Sequence, residues 1–133
     1  MLRTMLNRLS RRKLCLIADD SVVIRNAARS MLTDLRFRTA EAENGLQALS
    51  HCLRNRPDAI LLDHTMPYLD GLGVMEELRT RKAGAGPKII FCTANRDAAH
   101  IARAIDAGAH EYLIKPFDRN ILVSKLAKLG LTA

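Results

Sequence analysis

Five polar residues follow short apolar runs at widely separated points of the chain, and their types could support chemistry together. They are Asp19, Asp20, Asp63, Thr93 and Lys115. Three carboxylates that lie close together repel one another, so such a group needs raised pKa values or a cation. A divalent ion is the simpler solution, and Mg²⁺ prefers hard oxygen ligands of this kind. We therefore expect an acidic Mg²⁺ site if the fold brings these residues together.

Asp63 is the candidate for covalent chemistry, because it ends a fully apolar run. An aspartate can attack phosphorus and form an aspartyl phosphate when a metal ion and a cation offset the charge of the transferring group. Lys115 would supply that cation, and Thr93 would donate its hydroxyl to a phosphoryl oxygen. Each residue alone also has a simpler explanation, such as helix capping or solvation. Only their joint placement favours phosphoryl chemistry.

The other residue types that bind metals do not form a recognisable motif. The four histidines lack metal-ligand spacing, so we expect them at the surface or in packing: His51, His64, His100 and His110. The three cysteines are odd in number, widely spaced and set among apolar residues: Cys15, Cys52 and Cys92. This pattern indicates neither a disulfide framework nor a zinc site, and it favours reduced thiols in a cytoplasmic protein.

Short apolar runs alternate along the sequence with longer segments that have helical spacing. Predicted strands cover residues 14–18, 37–42, 59–62, 88–92 and 111–114. Predicted helices cover residues 21–36, 97–107 and 118–129, and two more follow the turns at residues 43–45 and 67–71, ending near Asn55 and Lys82. This alternation predicts right-handed crossovers and a parallel sheet with helices on both faces. Ligands of such sheets bind at the carboxyl ends of the strands, where all five polar residues fall.

The length of 133 residues fits one compact domain, and the composition is that of a globular protein. The net charge is +7, but five bases precede the first acid, so the remainder has 16 bases against 14 acids. We expect residues 1–12 to form a basic, mobile tail, with membrane or nucleic-acid contact as an open alternative. Outside this tail we expect no direct DNA binding. The apolar runs are far too short for a transmembrane segment, and the N-terminus lacks a signal-peptide pattern.

Four motifs occur in order along the chain. They are D-D-S after the first predicted strand, D-H-T-M-P-x-x-D-G after the third, T-A after the fourth and K-P-F after the fifth. Their combination resembles the response-regulator receiver domain, as in chemotaxis response regulators, over residues 13–129. The resemblance implies a receiver domain over residues 13–131, with a doubly wound, flavodoxin-like fold of five strand-helix units. The implied strand order is 2-1-3-4-5.

The resemblance implies a role for each acidic residue. Asp63 would be the phosphoacceptor, Asp20 would bind Mg²⁺ directly, and Asp19 would assist through water. The backbone carbonyl of Thr65 would be a further metal ligand. A sensor histidine kinase or a phosphotransfer protein would supply the phosphoryl group in a two-component phosphorelay. The domain would catalyse only its own phosphotransfer and dephosphorylation, so it would not be an enzyme in the usual sense.

The resemblance also implies a switch that reads the phosphoryl group. Thr93 and Lys115 match the positions that contact phosphate, Tyr112 matches the switch aromatic, and the bond from Lys115 to Pro116 is expected to be cis. We expect no effector domain after the last helix. Output would then come from the surface of the fourth helix, fifth strand and fifth helix, which would bind a downstream protein. The protein would act as a monomer or as a phosphorylation-dependent dimer.

Two other functions remain open at this point. A haloacid-dehalogenase-like phosphohydrolase also uses an aspartate nucleophile and Mg²⁺, but it would want a second aspartate where this chain has Thr65. A receiver-like binding module would work without phosphorylation and keep the acidic residues as structure.

Overall fold

The computed structural model describes residues 1–4, 12–81 and 86–132 of the chain. One parallel sheet is formed by β1 (Leu14–Ala18), β2 (Arg38–Ala42), β3 (Ala59–Asp63), β4 (Lys88–Thr93) and β5 (Glu111–Ile114), in the order β2-β1-β3-β4-β5. A helix follows each strand: α1 (Val22–Asp34), α2 (Gly45–Asn55), α3 (Gly71–Thr80), α4 (Ala98–Asp106) and α5 (Arg119–Lys128). The predicted fold class and strand order are confirmed. Residues 5–11 of the predicted tail and residues 82–85, where the third helix was predicted to end, lie outside the described residues.

The sheet is covered on both faces because alternate residues of each strand point to opposite sides. One face packs against α2, α3 and α4, and its strand residues include Leu16, Ile60, Leu62 and Phe91. The other face packs against α1 and α5, and its strand residues include Ile17, Leu61, Ile90 and Leu113. Central β3 is buried along its whole length, which explains its continuous apolar sequence.

Capping residues account for most differences between the predicted and observed helix ends. A side chain accepts a hydrogen bond from a first-turn N–H at the start of every one of these five helices: Ser21, Asn44, Asp70, Asp97 and Asp118. The first helix was predicted to reach residue 36, but α1 ends at Asp34. Arg36 has φ 69°, a left-handed conformation that cannot continue a right-handed helix.

The strand order places the ends of β1 and β3 side by side. The chain leaves β1 for β2 at one edge of the sheet and returns to β3 on the other side of β1, so the order reverses between them. Such a switch point opens a crevice at the carboxyl ends of the two strands. Within the described ranges, no helix combines the length and the apolarity needed to cross a membrane.

Candidate functional site

The acidic residues that end β1 and β3 meet at this crevice. Asp19, Asp20 and Asp63 each offer one carboxylate oxygen, and these oxygens all lie within 4.8 Å of one another. Asp19 and Asp63 are 3% and 5% exposed, whereas Asp20 is at the surface. The sequence-based expectation that they share one site therefore agrees with this geometry, and the oxygen-only donor set suits Mg²⁺.

The local sequence holds Asp19 in a fixed orientation. Its N–H donates to the Ala42 carbonyl at the end of β2, 3.0 Å away. Its Oδ1 accepts a hydrogen bond from the Ser21 N–H at 2.9 Å, and the Ser21 hydroxyl oxygen in turn accepts one from the Ile24 N–H at the start of α1. The second carboxylate oxygen of Asp19 is thus directed away from the helix cap and is available to the site.

Lys115, which follows β5, connects the two buried carboxylates. Its Nζ donates to Asp63 Oδ1 at 2.7 Å and to Asp19 Oδ2 at 3.0 Å. With three carboxylates and one ammonium group, the site carries a formal excess of two negative charges. That excess favours a divalent cation.

The pKa values of Asp63 and Lys115 are both raised, for different reasons. Burial raises the pKa of Asp63, the Lys115 hydrogen bond opposes this rise, and the charge of Asp19 adds to it. Burial alone would lower the pKa of Lys115, but its hydrogen bonds to Asp63 and Asp19 outweigh burial and raise it. Both groups therefore hold a proton more tightly than usual: burial is the main reason for Asp63, and the two neighbouring carboxylates are the reason for Lys115.

The loop between β3 and α3 is folded tightly against the site. Gly71 donates its N–H to the His64 carbonyl at 2.8 Å, and a Cβ on Gly71 would come within 2.4 Å of the Asp63 carbonyl oxygen. Only glycine fits at this distance. Among the described residues, no N–H donates to the carbonyl oxygen of Thr65, which leaves this predicted metal ligand without a hydrogen-bond partner.

Thr93 ends β4, and its hydroxyl makes its hydrogen bonds with groups in α4 and in the loop before it. The Asn95 N–H donates to Thr93 Oγ1 at 3.1 Å, and the Nε2 atom of His100 lies 3.1 Å from the same oxygen. Within the described part of the chain, no hydrogen bond joins the Thr93 side chain to Asp63 or Lys115. The backbone of β4 is nevertheless tied to the site, because the Lys115 N–H donates to the Thr93 carbonyl at 2.8 Å.

Tyr112 lies on β5 and is half-buried. The Nζ of Lys125, on α5, lies 3.9 Å from the centroid of the Tyr112 ring, a cation–π distance. The same Nζ donates to Glu111 Oε1 at 2.9 Å. Tyr112 therefore contacts α5 rather than the acidic cluster. The peptide bond from Lys115 to Pro116 is cis.

Two of the histidines predicted at the surface or in packing do pack together, and they lie beside the site. The rings of His64, Phe91 and His100 pack together, with centroids 4.8 to 5.8 Å apart. His100 is buried, and it shares the inward face of α4 with Ala104, four residues later. That spacing was a signal in the sequence for a buried histidine, but it did not reveal the bond to Thr93.

Comparisons with known proteins agree with the fold. A family model of the response regulator receiver domain matches residues 15–127. The chemotaxis protein CheY of Listeria monocytogenes is 34% identical over 114 residues, which cover 85% of this chain and 94% of that protein. The response regulator MprA of a Mycobacterium species is 36% identical over 114 residues, which cover 86% of this chain but 49% of that longer protein.

A solved structure has a similar fold. The receiver domain of sensor histidine kinase PA1611 from Pseudomonas aeruginosa is 33% identical, with a TM-score of 0.80 over 88% of this chain and 96% of that domain. A magnesium ion is coordinated in its active-site cleft. The chain thus belongs to the response-regulator receiver-domain family. Within that family it is a receiver domain of the CheY-like type found in two-component systems.

Proposed function

We propose that the chain accepts a phosphoryl group on Asp63 and signals by binding another protein. The observation that carries this proposal is the bond of 2.7 Å between Asp63 Oδ1 and Lys115 Nζ, inside a cluster that contains two further carboxylates. A cation beside an acidic metal site is the arrangement that phosphoryl transfer to an aspartate requires. The donor would be a sensor histidine kinase or a phosphotransfer protein, in the cytoplasm.

The chemistry assigned to Asp63 is a single displacement at phosphorus. A carboxylate oxygen of Asp63 attacks the phosphoryl group of a phosphohistidine, a P–O bond forms, and the P–N bond to the imidazole breaks. The electron pair of that bond remains with the leaving imidazole. Lys115 stays beside the acceptor and stabilises the negative oxygens of the transferred group. Hydrolysis of the acyl phosphate later restores the carboxylate.

The residues that would hold Mg²⁺ are Asp19, Asp20, Asp63 and the carbonyl oxygen of Thr65. All four supply oxygen, and two of the carboxylates are already oriented by hydrogen bonds. When bound, the ion would offset charge on the transferring phosphoryl group. Its binding would also relieve the repulsion that Asp63 experiences from its acidic neighbours.

The output is proposed to arise from Thr93 and Tyr112. A phosphoryl oxygen on Asp63 would compete for the Thr93 hydroxyl and move the start of α4. Tyr112 would then change its packing between β5 and α5, and the surface formed by α4, β5 and α5 would select a downstream protein. If two copies pair after phosphorylation, they would do so through this same surface.

The test is labelling of the purified chain by radioactive acetyl phosphate, with Mg²⁺ and with EDTA. We expect acid-stable, base-labile label that requires Mg²⁺ and is absent from Asp63→Asn. Asp106→Asn, which removes an exposed aspartate from the end of α4, is the matched control and should label normally. Label retained on Asp63→Asn would reject the proposal. Continuous phosphate release from small phosphoesters would instead favour a phosphohydrolase.

A second experiment separates a phosphorylation switch from a constitutive binding module. Partner proteins are captured on the immobilised chain with and without beryllofluoride, a mimic of the phosphoryl group, in the presence of Mg²⁺. A partner whose affinity increases with beryllofluoride supports the switch. Equal affinity in both conditions would contradict the switch and support a module that binds without phosphorylation.

A further inference from the structure

The hydroxyl of Thr93 already has two hydrogen-bonding neighbours in the unphosphorylated protein. It accepts a hydrogen bond from the Asn95 N–H, and it contacts His100 Nε2 at 3.1 Å. Thr93 is 3% exposed and His100 is 6% exposed, so water has little access to either group. A buried hydrogen bond of this kind cannot be replaced by solvent without opening the packing around it.

The loop from β4 to α4 fixes His100 in place. The Asp97 N–H donates to Asn95 Oδ1 at 2.9 Å, and Asp97 Oδ1 accepts a hydrogen bond from the Ala99 N–H at 3.2 Å, which caps α4. His100 lies in the first turn of this capped helix. The contact with Thr93 therefore closes a ring of bonds that runs from the strand end through the loop and back from the helix.

His100 also contacts the loop that carries the acceptor. Its ring centroid lies 4.8 Å from that of His64, the residue that follows Asp63, and 5.8 Å from that of Phe91 on β4. Burial lowers the pKa of His100, the charges of His64 and Arg103 lower it further, and Asp97 opposes them. This shift favours the neutral imidazole, which can exchange one hydrogen bond with the hydroxyl as donor or as acceptor.

We infer that His100 is a positioning residue that holds the Thr93 hydroxyl toward α4 in the unphosphorylated protein and so sets how readily the switch responds. The inference deepens the proposed function and rests on it. In either tautomer the imidazole keeps the Thr93 oxygen 3.1 Å away on the side of α4. A phosphoryl oxygen on Asp63 that draws the Thr93 hydroxyl away from α4 must therefore break its bond to His100, and loss of His100 removes that cost.

The test compares two substitutions of His100. His100→Phe keeps a flat ring against His64 and Phe91 but has no hydrogen-bonding atom. His100→Gln places an amide near the position of Nε2 and can restore the bond. Because one neutral hydrogen bond is removed, we expect His100→Phe to bind beryllofluoride with Mg²⁺ about two- to tenfold more tightly than wild type, by calorimetry. His100→Gln should bind like wild type.

The dependence on Thr93 distinguishes positioning from a general loosening of the fold. In a Thr93→Ala background, His100→Phe should no longer change the beryllofluoride affinity. Affinity in His100→Phe that equals or falls below that of wild type would overturn the inference. So would a Gln variant that behaves like the Phe variant, or a Phe effect that persists in the Thr93→Ala background.

A measurement on the wild-type chain keeps the inference testable if the variants fold poorly. The ring nitrogens of His100 are followed by NMR on the ¹⁵N-histidine-labelled protein as beryllofluoride is added. We expect the Nε2 resonance to move on saturation, and an unchanged resonance would overturn the inference. Wild type that binds no beryllofluoride would instead contradict the proposed function itself, whereas tight binding without any effect of His100 contradicts only the positioning role.

Discussion

Replacing Asp63 by asparagine removes one negative charge from a site with three carboxylates and one ammonium group. Burial raises the pKa of Asp63 above its ordinary value of 3.8, despite the hydrogen bond from Lys115. A carboxyl with a raised pKa binds a proton more tightly in the folded than in the unfolded state, so its charge destabilises the folded state above that pKa. We therefore predict that Asp63→Asn increases the free energy of unfolding at pH 7 without Mg²⁺.

The magnitude follows from opposing terms in the site. With an effective dielectric constant of about 20, the attraction to Lys115 at 2.7 Å is about 6 kcal/mol, and the repulsion from Asp19, which has an oxygen within 4.8 Å, is about 3.5 kcal/mol or more. Asp20 is exposed, so solvent screens its repulsion. Desolvation of a buried carboxylate costs several kcal/mol, about enough to exceed the remaining attraction. The expected gain is about 1 kcal/mol, or about 4 °C in melting temperature.

The assay is urea unfolding of wild type and Asp63→Asn at pH 7, in EDTA and in excess Mg²⁺. In EDTA, the variant should have the higher midpoint with an unchanged dependence on urea. Mg²⁺ at ten times its dissociation constant should stabilise wild type by about 1.4 kcal/mol and the variant by less, which closes the gap. Glu43→Gln removes an exposed charge from the loop before α2 and controls for the change in net charge.

The pH dependence independently checks whether Asp63→Asn raises or lowers the free energy of unfolding. The difference between wild type and variant should be largest above the folded pKa of Asp63, and it should shrink as the pH falls toward 3.8 and the carboxyl becomes protonated. A variant less stable than wild type in EDTA at pH 7 would refute the charge argument. Equal stabilisation of both proteins by Mg²⁺ would refute Asp63 as part of the metal site.

Three further predictions concern residues around the site and the edge of the sheet. Lys115→Ala should lower the free energy of unfolding by about 2 kcal/mol at pH 7, because two buried carboxylates lose their cation; unchanged urea unfolding would contradict this. Gly71→Ala should cost about 1–3 kcal/mol in the same assay and weaken beryllofluoride binding, because its Cβ would lie 2.4 Å from the Asp63 carbonyl oxygen. Gly86→Ala has open space at its Cβ, so it should change neither the stability nor the beryllofluoride binding. Burial, aided by a nearby lysine, lowers the pKa of His110, whose Nδ1 accepts an N–H of β4 at 2.9 Å. The free energy of unfolding should therefore fall as the pH drops below about 6.5, and it should fall less in His110→Asn. Urea unfolding between pH 5 and 8 measures both.

The grouping of the polar residues at one edge of the sheet was largely predictable, because a few short patterns in the sequence are enough to indicate a parallel sheet. Short apolar runs separated by helical segments imply a sheet whose carboxyl ends share one edge. Any polar residue that ends such a run must then lie near the others. This is why Asp63 and Lys115 were assigned to one site although 52 positions separate them in sequence.

The ends of the elements were harder to predict, because hydrophobic spacing does not distinguish a cap from the first turn of a helix. Ser21, Asp97 and Asp118 were placed inside helices, yet each precedes its helix and accepts a hydrogen bond from it. The difference depends on the backbone conformation of the single capping residue. It shifts the predicted bounds by one residue at each start and leaves the order of the elements intact.

The sequence by itself determined the alternation of strands and helices, the strand ends that carry the polar residues, and the chemistry those residues can perform. Only the tertiary structure decided which neighbour each polar atom meets. At the end of a strand the regular alternation of side chains stops, so periodicity did not reveal that Asp19 is buried and Asp20 exposed. The bond from Thr93 to His100 also depends on the direction in which α4 leaves its loop. That direction is set by the hydrogen bonds of the loop together with packing against the sheet, and hydrophobic spacing in the sequence does not encode it.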